Sequence, residues 1–490
     1  MGISNATERI AEWVAQARYE DLPRRVTEEA KNQVLSVIAS VHAGHFSDAG
    51  RVVSRTVKEW NAGKEATMIP SGERTSVHNA IFANTALSMA LDYDDYLFAG
   101  HTGHSAVLVT LALAEKHGVS GKDFLLAQTL ANEIEGRVGA SVIVGPLNGQ
   151  LWTFIHLIGS AVITAKLLGL DQQQIQSAIG ISLLQPNYPL WAGFFGSDAK
   201  TLMASMTAPQ GVQAAQLAAN GLRGSGDILE NPQGFVKVFA RQPLMGAYEG
   251  LGKIWLTDTL SYKIYPGCAY IDTTIDCVLG LARQHNIDAK KVKAVHVAAG
   301  PLTLGMEALA GPYLKGKDTL PVTLNFTVAY NVAAALMDRE LTTRQFARDR
   351  IRDQATWDLA GKVHLTLDEV IGQRMRERWL VKTVPGNGEQ FQLDLSSVDL
   401  TGFKMSFGAR VRIEMEDGRS FEAEQEVPLG AAGRPFEERR RCVEDKFRRE
   451  TRYTLRKEKM EKAIDLILHL EQASSAHLRE LVRLCCSERS

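Results

Sequence analysis

The chain has 490 residues and a mass of 53.8 kDa, with 45% hydrophobic and 23% charged residues, as is usual for a soluble globular protein. Its 55 lysines and arginines oppose 56 aspartates and glutamates, so the formal net charge is -1. This balance excludes a globally basic nucleic-acid-binding protein, and the length is enough to bury a large core without disulfides.

The five cysteines show no C-x-x-C spacing and no Cys/His quartet, and the chain contains no H-E-x-x-H sequence. A zinc site, a disulfide framework and an iron–sulfur cluster are not indicated, so we expect no metal and no other cofactor. The first residues lack the basic and apolar segments of a secretory signal. The most apolar stretch, 151–170, contains His156 and Lys166 and predicts a buried helix rather than a membrane span. We therefore expect a cytoplasmic protein.

Apolar residues recur at helical spacing through the first two thirds of the chain. The pattern predicts helices over residues 6–18, 24–43, 76–92, 105–118, 121–144, 150–168, 172–184 and 199–221. Small residues are dense at 127–141 and 204–219, which allows helices to approach closely. This region is therefore predicted to be a packed helical bundle.

The pattern changes near Tyr265-Pro266-Gly267. Beyond this point the sequence predicts helices over 269–284 and 323–337 and strands over 292–299, 362–367, 409–415 and 420–427. Glu416-Asp417-Gly418, between the last two strands, predicts a hairpin turn. From Pro435 the chain is helical and highly charged again, so the part between is an inserted α+β unit.

Six segments, in order along the chain, carry a resemblance to a known family. They are LDYDDYLFAGHTGHSA at 91–106, KLLGLD at 166–171, GSDAKTLMASMTAPQGVQAAQLAANGLRG at 196–224, LSYKIYPGCAY at 260–270, NFTVAYNVAAALMD at 325–338 and DKF at 445–447. Together they resemble the MmgE/PrpD family, which includes 2-methylcitrate dehydratases, cis-aconitate decarboxylases and an iminodisuccinate epimerase.

The resemblance implies a mainly α fold, in which a large all-helical domain formed by both chain ends carries an inserted, smaller α+β lid domain. The expected bounds are 1–265 and 431–490 for the helical domain and 266–430 for the lid. The resemblance also implies a homodimer with an active site between the two domains. Such an enzyme acts on a small carboxylate substrate without a cofactor, and neither nucleic acid nor a membrane is expected as a partner.

Asp92, Asp94 and Asp95 place three carboxylates within four residues. Alone, this pattern is typical of an exposed acidic helix end, although repulsion among close carboxylates raises the pKa of at least one of them. His101 and His104 lie one helical turn apart, and an imidazole is suited to moving protons at neutral pH. The resemblance places Asp92 in the site and identifies His104 as the catalytic histidine. Because the proline that usually follows that histidine is missing, His101 is the alternative.

The remaining candidates come from the resemblance. Lys200 and Lys263 would bind substrate carboxylates from two directions. Tyr330 matches a lid tyrosine that would assist catalysis, whereas its own pattern fits a core aromatic equally well. Two expected substrate-binding positions depart from the family: Gln150 replaces a histidine, and Cys268 stands where some members have one. Glutamine cannot carry a proton at neutral pH, which puts a second acid/base in doubt and indicates a different substrate.

The segment 437–462 contains eleven Lys or Arg residues and seven Asp or Glu residues. A solvated helix, or a helix that packs in a dimer, is the first interpretation of this pattern. A tail that binds RNA or a protein partner is the alternative.

The residues together predict carbon–acid chemistry: His104 moves the proton next to a carboxylate, Asp92 orients it, the two lysines hold carboxylates and Tyr330 assists. We first predict a cofactor-independent hydro-lyase, a dehydratase of the 2-methylcitrate type. Decarboxylation of the cis-aconitate type, or epimerisation, is the alternative on the same fold. An inactive helical scaffold and an interaction protein that binds through 437–490 are further interpretations.

Overall fold

The structure of the protein is a computed structural model that describes residues 5–60, 62–145, 153–384 and 390–487. Helix dominates and the sheets are few and small, which confirms the predicted mainly α class. Across these four ranges no helix combines the length and apolar character needed to cross a bilayer. All five cysteines are free thiols, and four of them are buried.

The first part of the chain is a bundle of helices that pack closely on one another. Its helices, among the residues described, are α1 Ala6–Gln16, α2 Arg24–His45, α3 Asp48–Glu59, α4 Val77–Met89, α5 Gly103–His117, α6 Gly121–Ser141, α7 Ile155–Leu167, α8 Gln172–Ser182, α9 Trp191–Gly196, α10 Ala208–Ala219 and α11 Phe235–Phe239. Two short antiparallel pairs accompany them, namely β1 Ala66–Met68 with β2 Glu73–Thr75, and β3 Asp95–Tyr96 with β4 Ser261–Tyr262.

The boundary between α5 and α6 shows how local sequence positions this bundle. Gly118 ends α5 in the left-handed conformation, with a φ of 69°. Ser120 then caps α6 by accepting from the amide of Asp123, whose side chain accepts from the Ser120 amide in return. A Cβ on Gly121 would collide with the carbonyl oxygen of Leu470, so glycine lets the C-terminal segment pack directly on the start of α6.

The predicted α+β unit is built around a four-stranded sheet with the strand order β10-β9-β5-β6. Its helices, among the residues described, are α12 Ala269–Gln284, α13 Pro301–Ala310, α14 Pro321–Leu324, α15 Val328–Asp338, α16 Arg348–Ile351, α17 Gln354–Ala360 and α18 Glu369–Arg378. Its strands are β5 Val292–Ala299, β6 Val363–Leu367, β7 Lys382–Val384, β8 Gln390–Gln392, β9 Ala409–Met415 and β10 Ser420–Gln425. β9 and β10 pair antiparallel with Glu414 opposite Ser420, which confirms the predicted hairpin. α12 and α15 cover the sheet, and Val295 and Val297 are fully buried beneath them.

The C-terminal helices return to the first bundle. They are α19 Phe436–Thr451, α20 Lys457–Leu468 and α21 Ser475–Leu484. α19 packs along α2, where Val443 and Phe447 are fully buried. The Arg439 guanidinium on α19 forms a buried ion pair with the Glu29 carboxylate on α2. The charged segment 437–462 therefore contributes its apolar face and several cations to contacts within the chain.

We expect Phe447→Ala to lower the free energy of unfolding by about 3–5 kcal/mol, because removing a fully buried phenyl ring leaves a cavity between α19 and α2. Urea denaturation of the full chain measures the change. Tyr453→Ala is the matched control: this aromatic residue just beyond α19 is 68% exposed, and a change within about 0.5 kcal/mol is expected there. Equal destabilisation by both substitutions would contradict the packing of α19 as described.

Several elements differ from the predicted ones. The predicted helix over 199–221 is divided into a 3-10 turn, Asp198–Leu202, and α10, which carries a proline in its first turn. The predicted helix over 323–337 is interrupted between α14 and α15. α3 was not predicted, and residues 150–152 of a predicted helix lie outside the described residues.

Candidate active site

The acidic segment that follows α4 is the centre of the candidate site. Asp92 adopts the left-handed backbone conformation, with a φ of 51°, and its amide donates to the Met89 carbonyl at 3.0 Å. This bend directs the chain into β3, where Asp95 pairs with Tyr262 of β4. The pairing places Lys263, the residue after β4, beside the acidic segment.

Two lysines and two aspartates form a buried ion network. Lys263 Nζ lies 2.7 Å from Asp94 Oδ1 and 3.2 Å from Asp92 Oδ1, and it donates to the Asp92 carbonyl at 2.9 Å. Lys200 Nζ donates to Asp92 Oδ1 at 2.9 Å and lies 5.2 Å from the ring centre of Phe194. All four charged side chains are at most 3% exposed, so each charge depends on its partners for compensation.

The lysines keep both aspartates ionised. Burial alone would raise the pKa of Asp92, but Lys200 and Lys263 outweigh it and hold that pKa below the ordinary value. Burial opposes ionisation of Asp94 in the same way, and Lys263 with the nearby histidines holds its pKa well below the usual range. The network thus pairs the two ionised aspartates with the two lysines.

The third acid, Asp95, belongs to a different environment. Its Oδ2 accepts a hydrogen bond from Gln33 Nε2 at 2.7 Å. Burial first, and the charge of Asp94 second, raise the pKa of Asp95 to about 6. One member of the acidic cluster therefore binds a proton more readily than a free aspartate, as the sequence predicts.

Asp94 also contacts both histidines. Its Oδ2 lies 2.6 Å from His101 Nδ1 and 3.2 Å from His104 Nε2. His104 is fully buried, with Nδ1 2.7 Å from Ser88 Oγ, whereas 11% of the His101 side chain remains exposed. Burial lowers the pKa of His101, and the opposing effect of Asp94 only partly offsets it.

A second polar layer lies behind His104. The rings of His104 and His156 meet edge to face, with centres 5.7 Å apart. Ser105 Oγ lies 2.7 Å from His156 Nδ1 and donates to Glu135 Oε1 at 2.6 Å. Burial raises the pKa of Glu135 well above its ordinary value and lowers the pKa of His156 well below its own, so burial disfavours the charged form of each. This layer packs against the buried side of His104.

A cavity of about 220 Å³ lies against the ion network. Its buried floor includes Asp92, His101 and Lys263, and its rim includes the exposed side chains of Arg378 and Lys404. Seven of the lining residues that the structure describes are aromatic. Among the described residues, a ligand in this cavity would meet one imidazole, one ammonium group and the Asp92 carboxylate at the floor, and two further cations at the rim.

Six of the eight predicted site residues come together here. Those that line the cavity are Asp92, His101, Lys263 and Cys268, and those that stand behind it are His104 and Lys200. Burial raises the pKa of the Cys268 thiol to about 12, so it is protonated at neutral pH. His101 rather than His104 reaches the cavity, and Lys200 contacts Asp92 instead of the open space.

Tyr330 is placed elsewhere, which corrects its predicted position. Its hydroxyl donates to the carbonyl of Gln345 at 2.5 Å, and its ring packs against Trp357 at 5.4 Å between centres. The side chain is 1% exposed in the core of the α+β unit and does not line the cavity. Gln150, the other predicted residue, lies outside the described residues.

Sequence reasoning missed Glu135 and His156 as members of the site. The sequence did contain one signal for Glu135, which is an acidic residue within a predicted helix of small and apolar residues. An acidic side chain is rarely buried unless it has a polar partner, so its position predicts such a partner nearby. Ser105 contacts both residues, although His156 is 51 positions and Glu135 is 30 positions away in the sequence. The packing of α5, α6 and α7 brings these three side chains together.

This arrangement can transfer a proton to or from a ligand at His101. Its Nδ1 is held by Asp94, so the exchange would take place at Nε2, and the carboxylate would stabilise the imidazolium form. Among the residues described, no group of three or more His, Cys, Asp or Glu side chains is arranged to hold a metal ion.

Comparison with known proteins gives a consistent result over most of the chain. Residues 8–246 match the MmgE/PrpD N-terminal domain, and residues 265–394 match the MmgE/PrpD C-terminal domain. A cis-aconitate decarboxylase of Aspergillus terreus is 26% identical over 453 residues, covering 87% of this chain and 86% of the relative. A cis-aconitate decarboxylase-like protein of Aspergillus oryzae is 24% identical over 507 residues, covering 99% and 98%. The human cis-aconitate decarboxylase is 22% identical over 497 residues, covering 96% and 93%.

Proposed function

Because this chain belongs to the MmgE/PrpD family, we propose that it is a lyase that decarboxylates cis-aconitate or a substituted form of it. The observation that carries the proposal is the imidazole of His101 at the cavity floor, which is held by the ionised Asp94 and is the one imidazole among the described lining residues. The relatives described as cis-aconitate decarboxylases support this alternative over the dehydratase that the sequence first predicted.

The proposed reaction consumes one proton. A carboxylate leaves cis-aconitate as CO2 when its C–C bond breaks, and the electron pair of that bond forms a new C=C bond. The electrons of the original double bond move to the next carbon, which takes up a proton. A trianion and one proton thus give a dianion and CO2, so the site must supply one acid at carbon.

His101 would be that acid. Protonated at Nε2, it would deliver the proton while Asp94 fixes Nδ1 and stabilises the charged form. His104 would act through Asp94 as a positioning residue, because it does not line the cavity. Lys263, whose Nζ already contacts Asp92 and Asp94, would attract a substrate carboxylate to the floor through its charge, and Lys200 would act indirectly by neutralising Asp92.

Dehydration places a different demand on the same residues. It needs a base to remove a proton from carbon and an acid to protonate the departing hydroxyl group. Asp92 lines the cavity, but the lysines hold its pKa below the ordinary value, which makes it a weak base. One imidazole with an ionised aspartate therefore fits the single proton transfer of decarboxylation better. Epimerisation, which also needs proton removal, is disfavoured for the same reason.

The proposal is tested by incubating the purified chain with cis-aconitate and measuring substrate loss and CO2 release together. We expect one CO2 for each substrate molecule consumed. Citrate and 2-methylcitrate serve as parallel substrates for the dehydratase. Water loss from either compound, with no CO2 from cis-aconitate, would favour the dehydratase. No reaction with any of them, or with an alkyl-substituted cis-aconitate, would favour an inactive scaffold.

The pH dependence of kcat/KM separates an acid from a base at His101. Because the reaction requires the protonated imidazole, we expect kcat/KM to fall as pH rises through the pKa of His101. Burial places that pKa below the ordinary 6.5. The profile is measured with cis-aconitate, and His101→Gln should remove this limb. A kcat/KM that rises with pH over the same range would contradict the proposal, since it would identify a neutral imidazole acting as a base.

A further inference from the structure

The cavity wall next to His101 is aromatic. The ring centre of His101 lies 6.1 Å from that of Tyr96, which stacks on Phe407 at 6.0 Å. Phe407 in turn meets Tyr270 edge to face, with centres 4.6 Å apart. All four side chains line the cavity, so the imidazole of His101 at the floor lies next to an aromatic surface.

A second aromatic group continues this surface on the solvent side. The ring of Phe98 meets those of Trp379 and Phe403 edge to face, at 6.2 Å and 6.3 Å between centres. These three side chains line the cavity and are only half-buried. Covering this apolar surface with an apolar ligand removes it from water, which favours binding.

Cis-aconitate has nothing to place against this wall. Its three carboxylates leave no apolar part of matching size, and a carboxylate over the face of an aromatic ring is repelled by the negative charge there. The cations that line the cavity are at its floor, Lys263, and at its rim, Arg378 and Lys404. The proposed function places the charged head of a ligand at His101 and Lys263 on the floor, so the aromatic wall would contact a different chemical group.

We propose that the natural substrate is an unsaturated tricarboxylate that carries an alkyl chain. Its carboxylate head would lie at Lys263 and His101, and its chain would lie against Phe98, Trp379 and Phe403. The assignment of the head rests on the proposed function, whereas the assignment of the chain rests on the aromatic wall. Trp379 and Phe403 are then specificity-determining residues.

The test uses unreactive ligands, so that it does not depend on catalysis. Propane-1,2,3-tricarboxylates that carry a methyl, propyl or pentyl chain are titrated into the full-length protein by calorimetry. We expect Kd to fall roughly fourfold for each added methylene group, which is the gain from burying one such group. A Kd that is constant or increases with chain length would overturn the proposal.

Three variants locate the chain. Trp379→Ala and Phe403→Ala should each reduce the preference for pentyl over methyl by roughly tenfold, as the loss of an aromatic contact predicts. Trp60→Ala, which removes a 47% exposed tryptophan on another surface, should keep the wild-type preference. An unchanged preference in both wall variants would also overturn the proposal. The two proposals fail separately: a correct chain-length series without CO2 release refutes only the decarboxylase, and CO2 release without a chain-length effect refutes only the alkyl chain.

Discussion

Replacing His101 by glutamine is expected to lower kcat for decarboxylation by ~10²–10⁴-fold, the usual contribution of a positioned general acid. The imidazole is the side chain at the cavity floor that Asp94 holds at 2.6 Å through Nδ1. Glutamine keeps a hydrogen-bonding group of similar size but has no proton to give at neutral pH. Steady-state kinetics with cis-aconitate measures the effect, and KM should change far less than kcat.

His104→Gln is the matched control for this experiment. His104 contacts the same carboxylate at 3.2 Å but is fully buried behind the cavity. Its replacement should lower kcat less than the replacement of His101, and it should shift the pH profile because Asp94 loses one of its two imidazole partners. A larger loss in His104→Gln, with His101→Gln near wild type, would restore His104 as the acid/base that the sequence first indicated.

Lys263→Met is expected to lower the free energy of unfolding by about 3–5 kcal/mol at pH 8, the cost of leaving a buried charge without its partner. Lys263 is fully buried and contacts both Asp92 and Asp94. Removal of the ammonium group would leave Asp94 with no lysine partner, and Asp92 with Lys200 alone. Urea denaturation of the wild type and the variant measures the difference.

The deficit of this variant should shrink as pH falls towards 5. In the wild type the pKa values of Asp92 and Asp94 lie below the ordinary 3.8, so their stabilising effect is complete above that value and lost only in acid. Without Lys263, burial would raise the pKa of Asp94, and protonation would relieve the uncompensated charge. Lys404→Met, at the exposed rim of the same cavity, should change stability by no more than about 0.5 kcal/mol. Wild-type stability of Lys263→Met at pH 8 would contradict the ion network.

Much of the fold could be predicted because its signals are local. The helix predicted over 121–144 is α6, Gly121–Ser141, whose first turn is specified by a capping box. The turn at Glu416-Asp417-Gly418 specifies the β9–β10 hairpin in the same way. The change of pattern near residue 265 coincides with the start of the four-stranded sheet and its helices. The bounds predicted for the two domains, the homodimer and the cytoplasmic location remain predictions.

The arrangement of the site could be predicted only in part, because it depends on contacts between distant segments. The sequence indicates Asp92, Lys200 and Lys263, but not that both lysines contact Asp92 in one buried ion network. His101 lies between β3 and α5; the sequence predicts α5 to within two residues of its start, but not the short β3–β4 pairing. Tyr330 was predicted from the resemblance, yet its hydroxyl donates to the Gln345 carbonyl in the core of the α+β unit.

The central claim is that the cavity removes one carboxylate and returns one proton to carbon. Proton NMR of the reaction with cis-aconitate in D2O tests it most directly. We expect a product that has lost one carboxyl group and carries one deuteron on carbon for each CO2 released, with no such product in His101→Gln. Deuterium exchange or water elimination without loss of a carboxyl group, or an unchanged product in His101→Gln, would contradict the account.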